Sequence, residues 1–126
     1  MFSHVFLGVE SIARAKSFYD ATLAALGQSE GVVDPKGRCI YLSENGVLGL
    51  TQPINGDPAS VGNGMTVGFV AKSPEEVDEW HRIGLENGGT SIEDAPGVRD
   101  SGVRRLYMAY LRDPDGNKVC ATHFMP

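Results

Sequence analysis

The chain opens with two segments whose apolar residues repeat at different periods. The residues of Phe2–Val9 alternate between two faces. Apolar residues, many of them aromatic or β-branched, occur on both faces, which predicts a strand. Over Ser11–Leu26 apolar residues return every three or four positions and Gly27 follows at a C-cap position, which predicts a helix over 12–26. The Asn45-Gly46 pair favours a tight hairpin. Further short apolar stretches predict strands at Val32–Val33, Arg38–Ser43 and Val47–Gln52.

After a connection rich in Pro, Gly and Asn (Pro53–Gly64), the same order of elements returns. Met65–Ala71 predicts a strand, and the run Ser73-Pro74-Glu75-Glu76 has the form of a capping box that starts a helix over 74–87. Asp113–Gly116 predicts the turn of a final hairpin, and Pro96–Arg105 a loop. The remaining strands are predicted at Thr90–Glu93, Leu106–Arg112 and Lys118–Phe124.

The chain is therefore predicted to contain two β-α-β-β-β modules. An offset of about 61 residues aligns His4 with Met65, Val9 with Val70, and Phe18 with Trp80. A four-stranded sheet carrying one helix cannot bury both of its faces, so we expect the modules to pair, either within one chain or by exchange between chains. The prediction is an α+β fold in a single domain spanning 1–126. Module one covers about 1–52, the linker covers 53–64, and module two covers about 65–126.

Composition narrows the function classes. With 11 Lys and Arg against 16 Asp and Glu, the net charge of −5 leaves no basic surface for nucleic acid or an anionic membrane. Hydrophobic residues make up 41%, which is enough for a core. There is no 18-residue apolar run and no charged-then-apolar leader, and the only cysteines are Cys39 and Cys120. We therefore expect a cytoplasmic protein with reduced thiols.

Three stretches resemble one superfamily. His4 to Gly27 reads H-V-x-x-G-V-x-S-x-x-R-A-x-x-F-Y-x-x-x-L-x-x-L-G, and Arg112 to Lys118 reads R-D-P-D-G-N-K. Both resemble the vicinal oxygen chelate superfamily, which holds glyoxalase I, bleomycin- and fosfomycin-resistance proteins and extradiol dioxygenases. Ala95 to Arg99, A-P-G-V-R, is similar to a subgroup of small bacterial members. The resemblance implies paired βαβββ modules curled around a small-molecule cavity, commonly in a dimer.

The resemblance also implies four cavity-facing positions that hold a divalent metal in metal-using relatives. Carried over, these positions are His4, Gly49, Met65 and Cys120. Only His4 matches the glyoxalase pattern, because glycine has no side-chain donor and a thioether is a poor ligand for such ions. We therefore predict no metal cofactor and no ordinary glyoxalase I activity. The alternative is a metal-dependent lyase- or dioxygenase-like enzyme with an unusual ligand set that includes His4 and Cys120.

Two of the candidate site residues each have more than one interpretation. His4 is a hydrogen-bonded structural histidine, a general base or ligand donor, or a metal ligand. Cys120 is a small core residue, a metal ligand or a reactive thiol. His123 has the opposite strand parity to Cys120 and is predicted to face away from the cavity, while His81 is predicted to be exposed on the second helix.

Strand parity predicts the wall of the cavity. A closed final hairpin would pair Tyr110 with Cys120 and Met108 with Thr122. The same concave face would also carry Phe6, Gly49, Thr51, Met65, Val67 and Phe69. This composition suits either a ligand pocket or a collapsed core, and Gly8 and Gly49 favour the pocket because they leave space.

Arginines are predicted at the mouth of this cavity. Arg99, Arg104 and Arg105 could receive a carboxylate or phosphate, or they could be solvated and neutralised by Asp94 and Asp100.

Three functions compete on these grounds: a divergent enzyme, a metal-free binder that sequesters a small molecule, and a regulatory dimer with a vestigial cavity. No nucleotide, haem, zincin or serine-hydrolase motif occurs. We favour a glyoxalase- or bleomycin-resistance-like small-molecule binder that forms a two-fold homodimer, with no nucleic-acid or membrane partner. Whether it catalyses a reaction stays open.

Overall fold

The computed structural model describes every residue from Met1 to Pro126 and has two helices and two four-stranded sheets. The first module contains β1 (His4–Gly8), α1 (Ile12–Ala24), β2 (Val32–Val33), β3 (Cys39–Ser43) and β4 (Gly46–Thr51). The second contains β5 (Val67–Val70), α2 (Pro74–Glu86), β6 (Thr90–Asp100), β7 (Arg105–Arg112) and β8 (Lys118–Phe124). The predicted α+β fold of two βαβββ modules is confirmed.

Each module forms its own mixed sheet. The strand orders are β1-β4-β3-β2 in the module 1 sheet and β5-β8-β7-β6 in the module 2 sheet. The first strand of each module pairs parallel with the last, and the other neighbours are antiparallel. No hydrogen bonds join the two sheets, so β1 and β5 are both free edges.

Both helices begin at serine N-caps. Ser11 accepts a hydrogen bond from the Arg14 amide, and Ser73 accepts one from the Glu76 amide. The Glu76 carboxylate reaches back to the Lys72 amide, which completes a reciprocal cap on the second helix. Gly27 adopts φ +83° just after α1, as a helix end of this kind requires. Neither helix is long and apolar enough to cross a membrane.

The third strand of module 2 is longer than predicted. Thr90–Glu93 was expected to be a short strand before a loop over Pro96–Arg105, but β6 continues to Asp100. Its register against β7 shifts between Ile92 and Gly97, and Glu93 there adopts φ +59°. A bulge in an edge strand accommodates Pro96, which has no N–H for the ladder, and pairing resumes beyond it.

The two helices pack against each other between the modules, and the buried core is shared by both. Gly84 of α2 makes the close approach possible, because a Cβ there would lie 2.2 Å from Leu111 Cδ1 and 3.5 Å from both Phe18 and Thr22. Phe18 and Trp80 are completely buried. The helix-facing sides of the two sheets are thus covered within one chain, while their opposite, concave faces stay open.

The final turn of module 2 is bonded to module 1. Buried Asp113 accepts a hydrogen bond from the Tyr19 hydroxyl of α1 at 2.7 Å. Asp115 accepts from the Arg14 guanidinium at 2.9 Å, and Asn117 Nδ2 donates to the Gly8 carbonyl at 3.1 Å. The Asp-Pro-Asp-Gly-Asn turn therefore fixes the two modules relative to each other.

Candidate functional site

The two modules superpose at an offset of 62 residues, one more than the predicted 61. Their helices start at residues 12 and 74, and 74 − 12 = 62. The amides of Val9 and Ala71 make the same bond just beyond the first strand, to the carbonyls of Thr51 and Thr122. His4 therefore corresponds to Thr66 and not, as predicted, to Met65.

This one-residue difference reverses the face assigned to β5. Gly68 pairs with Cys120, and their side chains share the concave face. Val67 and Phe69 are instead packed against the core on the helix side, with the Phe69 and Tyr19 rings 6.5 Å apart. Their predicted place on the concave face is wrong, because a shift of one residue moves every side chain of a strand to the other face. Met65 lies before the strand, half exposed and beside Gly62.

The predicted pairing of β7 with β8 is confirmed. Tyr110 pairs with Cys120 and Met108 pairs with Thr122, so these four side chains share the concave face of the module 2 sheet. Cys120 is buried and the other three are partly buried. Ligand binding by these residues stays a prediction.

A charged pair on this face was not foreseen. The Lys118 ammonium forms a salt bridge with Glu93 and lies 4.9 Å from the centroid of the Tyr110 ring. Lys118 has the strand parity of Cys120, so the alternation already used for Cys120 could have found it. Glu93 reaches the site from the β6 bulge, for which the sequence carries no clear signal.

The Cys120 thiol is not activated. Burial raises its pKa, and this outweighs the opposing effects of the Thr122 hydroxyl and the Lys118 charge. Because the thiolate is the nucleophilic form, this raised pKa disfavours Cys120 as a nucleophile at neutral pH. Both cysteines are free and buried.

The concave face of module 1 is filled by its own side chains. The Phe6 ring lies over Gly49, where a Cβ would come within 2.4 Å of it. The Arg38 guanidinium also lies over the Phe6 ring, 5.4 Å from its centroid. Ala59 of the linker occupies the space next to Gly8, at 3.5 Å from a Cβ built there. The predicted open space above the two glycines is therefore absent.

Two more candidates of module 1 lie toward the ends of its strands. Thr51, at the end of β4, shares the face of Gly49, and its hydroxyl bonds the Gln52 carbonyl. His4 is exposed at the start of β1. Its Nδ1 lies 2.8 Å from Ser3 Oγ, and its ring meets Phe6 edge-on at 5.6 Å.

The three arginines do not form one cluster. Arg99 pairs with Leu106, on the concave face, and Arg104 lies over the Phe124 ring at 4.4 Å. Arg105 has the parity of Tyr107, whose side chain packs toward the helices. The predicted neutralisation by Asp94 and Asp100 is also absent, because neither carboxylate pairs with these arginines.

The other histidines are accounted for by structure. His123 Nδ1 lies 3.2 Å from the Ala71 carbonyl on the helix side, so its prediction is confirmed. His81 was predicted to be exposed but is half buried, with Nε2 3.0 Å from Ser91 Oγ. Burial lowers its pKa, and nearby Asp78 only partly opposes this.

A cavity of about 290 Å³ lies where the β1 and β5 edges approach each other. Its apolar lining comes from the end of α1, from the start of β4 and from β5, and His4 lies at its rim. It includes Leu23, Leu26, Tyr41, Leu48, Val67 and Phe69.

The donor set does not suit a divalent metal. At the offset of 62, the four positions that the resemblance implies for a metal are His4, Gly49, Thr66 and Cys120. No three His, Cys, Asp or Glu side chains come together anywhere in the structure. Catalytic zinc sites use three protein ligands, and this chain supplies an imidazole and a protonated thiol on separate sheets.

Paired βαβββ modules with open concave sheets define a class of small α+β proteins. The chain belongs to the Glyoxalase/Bleomycin resistance protein/Dioxygenase superfamily, whose family model matches residues 1–121. The resemblance noted in the sequence is confirmed.

Solved structures agree with this membership. A glyoxalase/bleomycin resistance protein from Albidiferax ferrireducens T118 is 54% identical, with a TM-score of 0.94 over 97% of this chain and 98% of that one. A glyoxalase-related enzyme from Fulvimarina pelagi shares the fold at 17% identity, with a TM-score of 0.73 over 98% and 87% of the two chains. A family enzyme from Burkholderia phytofirmans PsJN also has 17% identity and a TM-score of 0.73, over 98% of both chains. No curated protein matches the chain.

Proposed function

We propose that this protein binds a small organic molecule on the concave face of the module 2 sheet, without a resident divalent metal. The observation that carries the proposal is the composition of that face. Met108 and Tyr110 supply partly buried apolar surface beside a few polar groups, which is the usual make-up of a ligand site. Beside Cys120 the neighbouring strand carries Gly68, and the Cys120 sulfur, at 3.2 Å, is the one atom within 4 Å of a Cβ built there.

Sequestration fits these residues better than catalysis. The Cys120 thiol stays protonated, Glu93 is neutralised by Lys118, and His4 lies on the other sheet. On this face, therefore, no nucleophile is paired with a base within hydrogen-bonding reach. With two free thiols, a reduced, cytoplasmic setting is part of the proposal.

The concave faces also support a homodimer. Leu42 of module 1 is 74% exposed, and Val70 and Phe124 of module 2 are 58% and 47% exposed. Apolar surface of this extent beside two free strand edges favours a partner. A second copy that sets its module 1 sheet against this module 2 sheet would close each site at the subunit boundary.

Two measurements test metal content and assembly. Elemental analysis of protein purified without chelators should find no stoichiometric nickel, zinc or iron. One tightly bound ion per chain that is lost in His4→Ala would instead support the metal-dependent lyase or dioxygenase. Light scattering should give about 27 kDa, twice the 13.5 kDa chain mass, and a 13.5 kDa particle at micromolar concentration would contradict the dimer.

Ligand binding is tested by amide NMR with small neutral aromatic probes. We expect saturable shifts at the concave residues of β7 and β8. Shifts confined to the cavity between β1 and β5 would place the binding site elsewhere.

A further inference from the structure

The orientation of Arg99 distinguishes it from the other arginines on the module 2 sheet. Its Nη1 donates to the Gly97 carbonyl at 3.1 Å and its Nη2 donates to the Asp94 carbonyl at 2.9 Å. No carboxylate lies within salt-bridge distance of Arg99, Arg104, Arg105 or Arg112. Of these, Arg104 lies over the Phe124 ring and Arg112 donates to the Gly116 carbonyl of the final turn. The Gly97 and Asp94 carbonyls fix the Arg99 guanidinium but leave its charge uncompensated, and three of its five N–H groups have no protein acceptor.

Gly97 allows the guanidinium to lie across the concave face. Gly97 and Arg99 have the same strand parity, and a Cβ at Gly97 would lie 3.6 Å from Arg99 Nη1. The side chain therefore folds back over Gly97, whose partner across the ladder is Met108. This places the positive charge next to the apolar surface of β7.

Tyr110 supplies a second donor beside Met108. Its hydroxyl has one protein contact, the Met108 sulfur at 4.0 Å, and a thioether is a weak acceptor. Burial raises the pKa of Tyr110, so its hydroxyl keeps its proton and can donate to a ligand.

The charge balance at this face selects for a monoanion. Lys118 is neutralised by Glu93, and Arg112 donates to the Gly116 carbonyl at the far end of β7, so Arg99 carries the unpaired charge beside Met108. A guanidinium binds a planar carboxylate through two parallel bonds, whereas a phosphate carries more charge than one guanidinium compensates.

We infer that the ligand is a carboxylate with an apolar, planar body, held by the Arg99 guanidinium and the Tyr110 hydroxyl, with the body packed on Met108. This inference rests on the proposed function, because it specifies the ligand class of the same face.

The test is an amide NMR titration of the intact protein with benzoate, its neutral isostere benzamide, and inorganic phosphate. Benzoate should shift the amides of 97–99 and 108–110 in a saturable manner and bind about tenfold more tightly than benzamide, as expected for a hydrogen-bonded charge pair. Arg99→Gln should remove that preference, and Tyr110→Phe should weaken benzoate about threefold while leaving benzamide unchanged. Arg105→Gln removes an equal charge from the opposite face and should change neither affinity.

The possible outcomes separate this inference from the proposed function. Equal binding of benzoate and benzamide that Arg99→Gln leaves unchanged would overturn the carboxylate assignment and leave the neutral-ligand site standing. Tighter binding of phosphate than of benzoate at the same amides would replace the carboxylate with a phosphate. Failure of all three probes to shift these amides at millimolar concentration would overturn both proposals. The Tyr110→Phe result keeps the test decisive if Arg99→Gln disturbs the β6 bulge, since the weakly accepting Met108 sulfur is the only protein partner of this hydroxyl.

Discussion

In each module the first strand pairs with the last. At this pairing the larger side chain lies on the first strand in module 1 and on the last strand in module 2. In module 1 the large residue is Phe6 of β1, and it covers Gly49 of β4. In module 2 the glycine is Gly68 of β5, and its partner is Cys120 of β8, whose sulfur would lie 3.2 Å from a Cβ at position 68. The same backbone therefore carries two different surfaces.

This difference assigns a role to each half. Phe6 and Arg38 turn the module 1 face into a filled wall, so it offers apolar area and little space. The module 2 face has no aromatic ring over Gly68 and carries Arg99, Tyr110 and the Lys118–Glu93 pair. The two modules of an internal duplication thus differ: one concave face is filled by its own side chains, and the other carries polar and charged groups.

The largest effect is expected where the two halves are joined. Asp113 in the β7–β8 turn accepts bonds from Tyr19, from Asn117 and from the Asp115 amide, and it is almost fully buried. Asp113→Ala leaves these donors unpaired and should lower the free energy of unfolding by about 3 to 4 kcal/mol. The matched change in the β3–β4 turn, Ser43→Ala, is exposed and should cost less than about 0.5 kcal/mol. Urea denaturation measures both, and equal losses would show that the turns are equivalent.

The second prediction tests the opposed glycines directly. Gly49→Ala forces a methyl group to within 2.4 Å of the Phe6 ring and should cost about 2 to 3 kcal/mol. Cys120→Ala at the corresponding position only removes a small buried group and should cost about 1 kcal/mol. In the double variant Gly49→Ala/Phe6→Ala the clash is gone, so the two single losses should not add. Simple additivity in thermal or urea unfolding would mean that Phe6 does not lie over Gly49.

The sequence predicts those parts of this asymmetry that a nearby turn or helix cap determines. The Tyr110–Cys120 pairing was predictable because Asp113–Gly116 is a turn of defined length, and turn length sets hairpin register. The helix starts were predictable from their serine caps. Between β1 and β5 no turn fixes the register, and apolar residues occupy both faces of each strand, so the faces of Val67 and Phe69 were misassigned.

Two features of the site could not be predicted from the residues around them. The β6 strand continues through Pro96 only because Glu93 adopts a left-handed conformation, which nothing in the flanking residues requires. Likewise, the closure of the space above Gly49 depends on the direction of one ring, and a glycine in the sequence does not show what will occupy its space.

A third, smaller effect should separate corresponding helix positions 20 and 82. In module 1 Asp20 accepts bonds from the Tyr41 hydroxyl and the Gly31 amide, and it pairs with Lys16. Asp20→Asn should cost about 1 to 2 kcal/mol at pH 7. In module 2 Arg82 pairs with glutamates on the exposed side of its own helix, so Arg82→Gln should cost less than about 0.5 kcal/mol.

The Asp20 contribution should also depend on pH. Burial alone would raise the pKa of Asp20, but the bonds from Lys16, Gly31 and Tyr41 outweigh it and lower the pKa below the ordinary 3.8. A carboxyl group with a lowered pKa stabilises the fold above its unfolded pKa and loses that contribution as the pH falls through its folded pKa. Wild type and Asp20→Asn should therefore differ at pH 7 and converge below pH 3.8, whereas a constant difference down to low pH would contradict the network.

The smallest effect is expected at the centre of the helix pair, where Phe18 of α1 corresponds to Trp80 of α2. Both are completely buried, but the Trp80 indole Nε1 has no hydrogen-bond partner. Trp80→Phe gives module 2 the aromatic residue that module 1 already has. It loses about 1 to 2 kcal/mol of packing and regains a similar amount by removing an unpaired buried donor, so the net change should stay within about 1 kcal/mol. Far-UV circular dichroism during urea denaturation measures it without relying on tryptophan fluorescence. A loss above about 2 kcal/mol would mean that the indole N–H is paired, for instance with a buried water, and that the two helices differ in more than ring size.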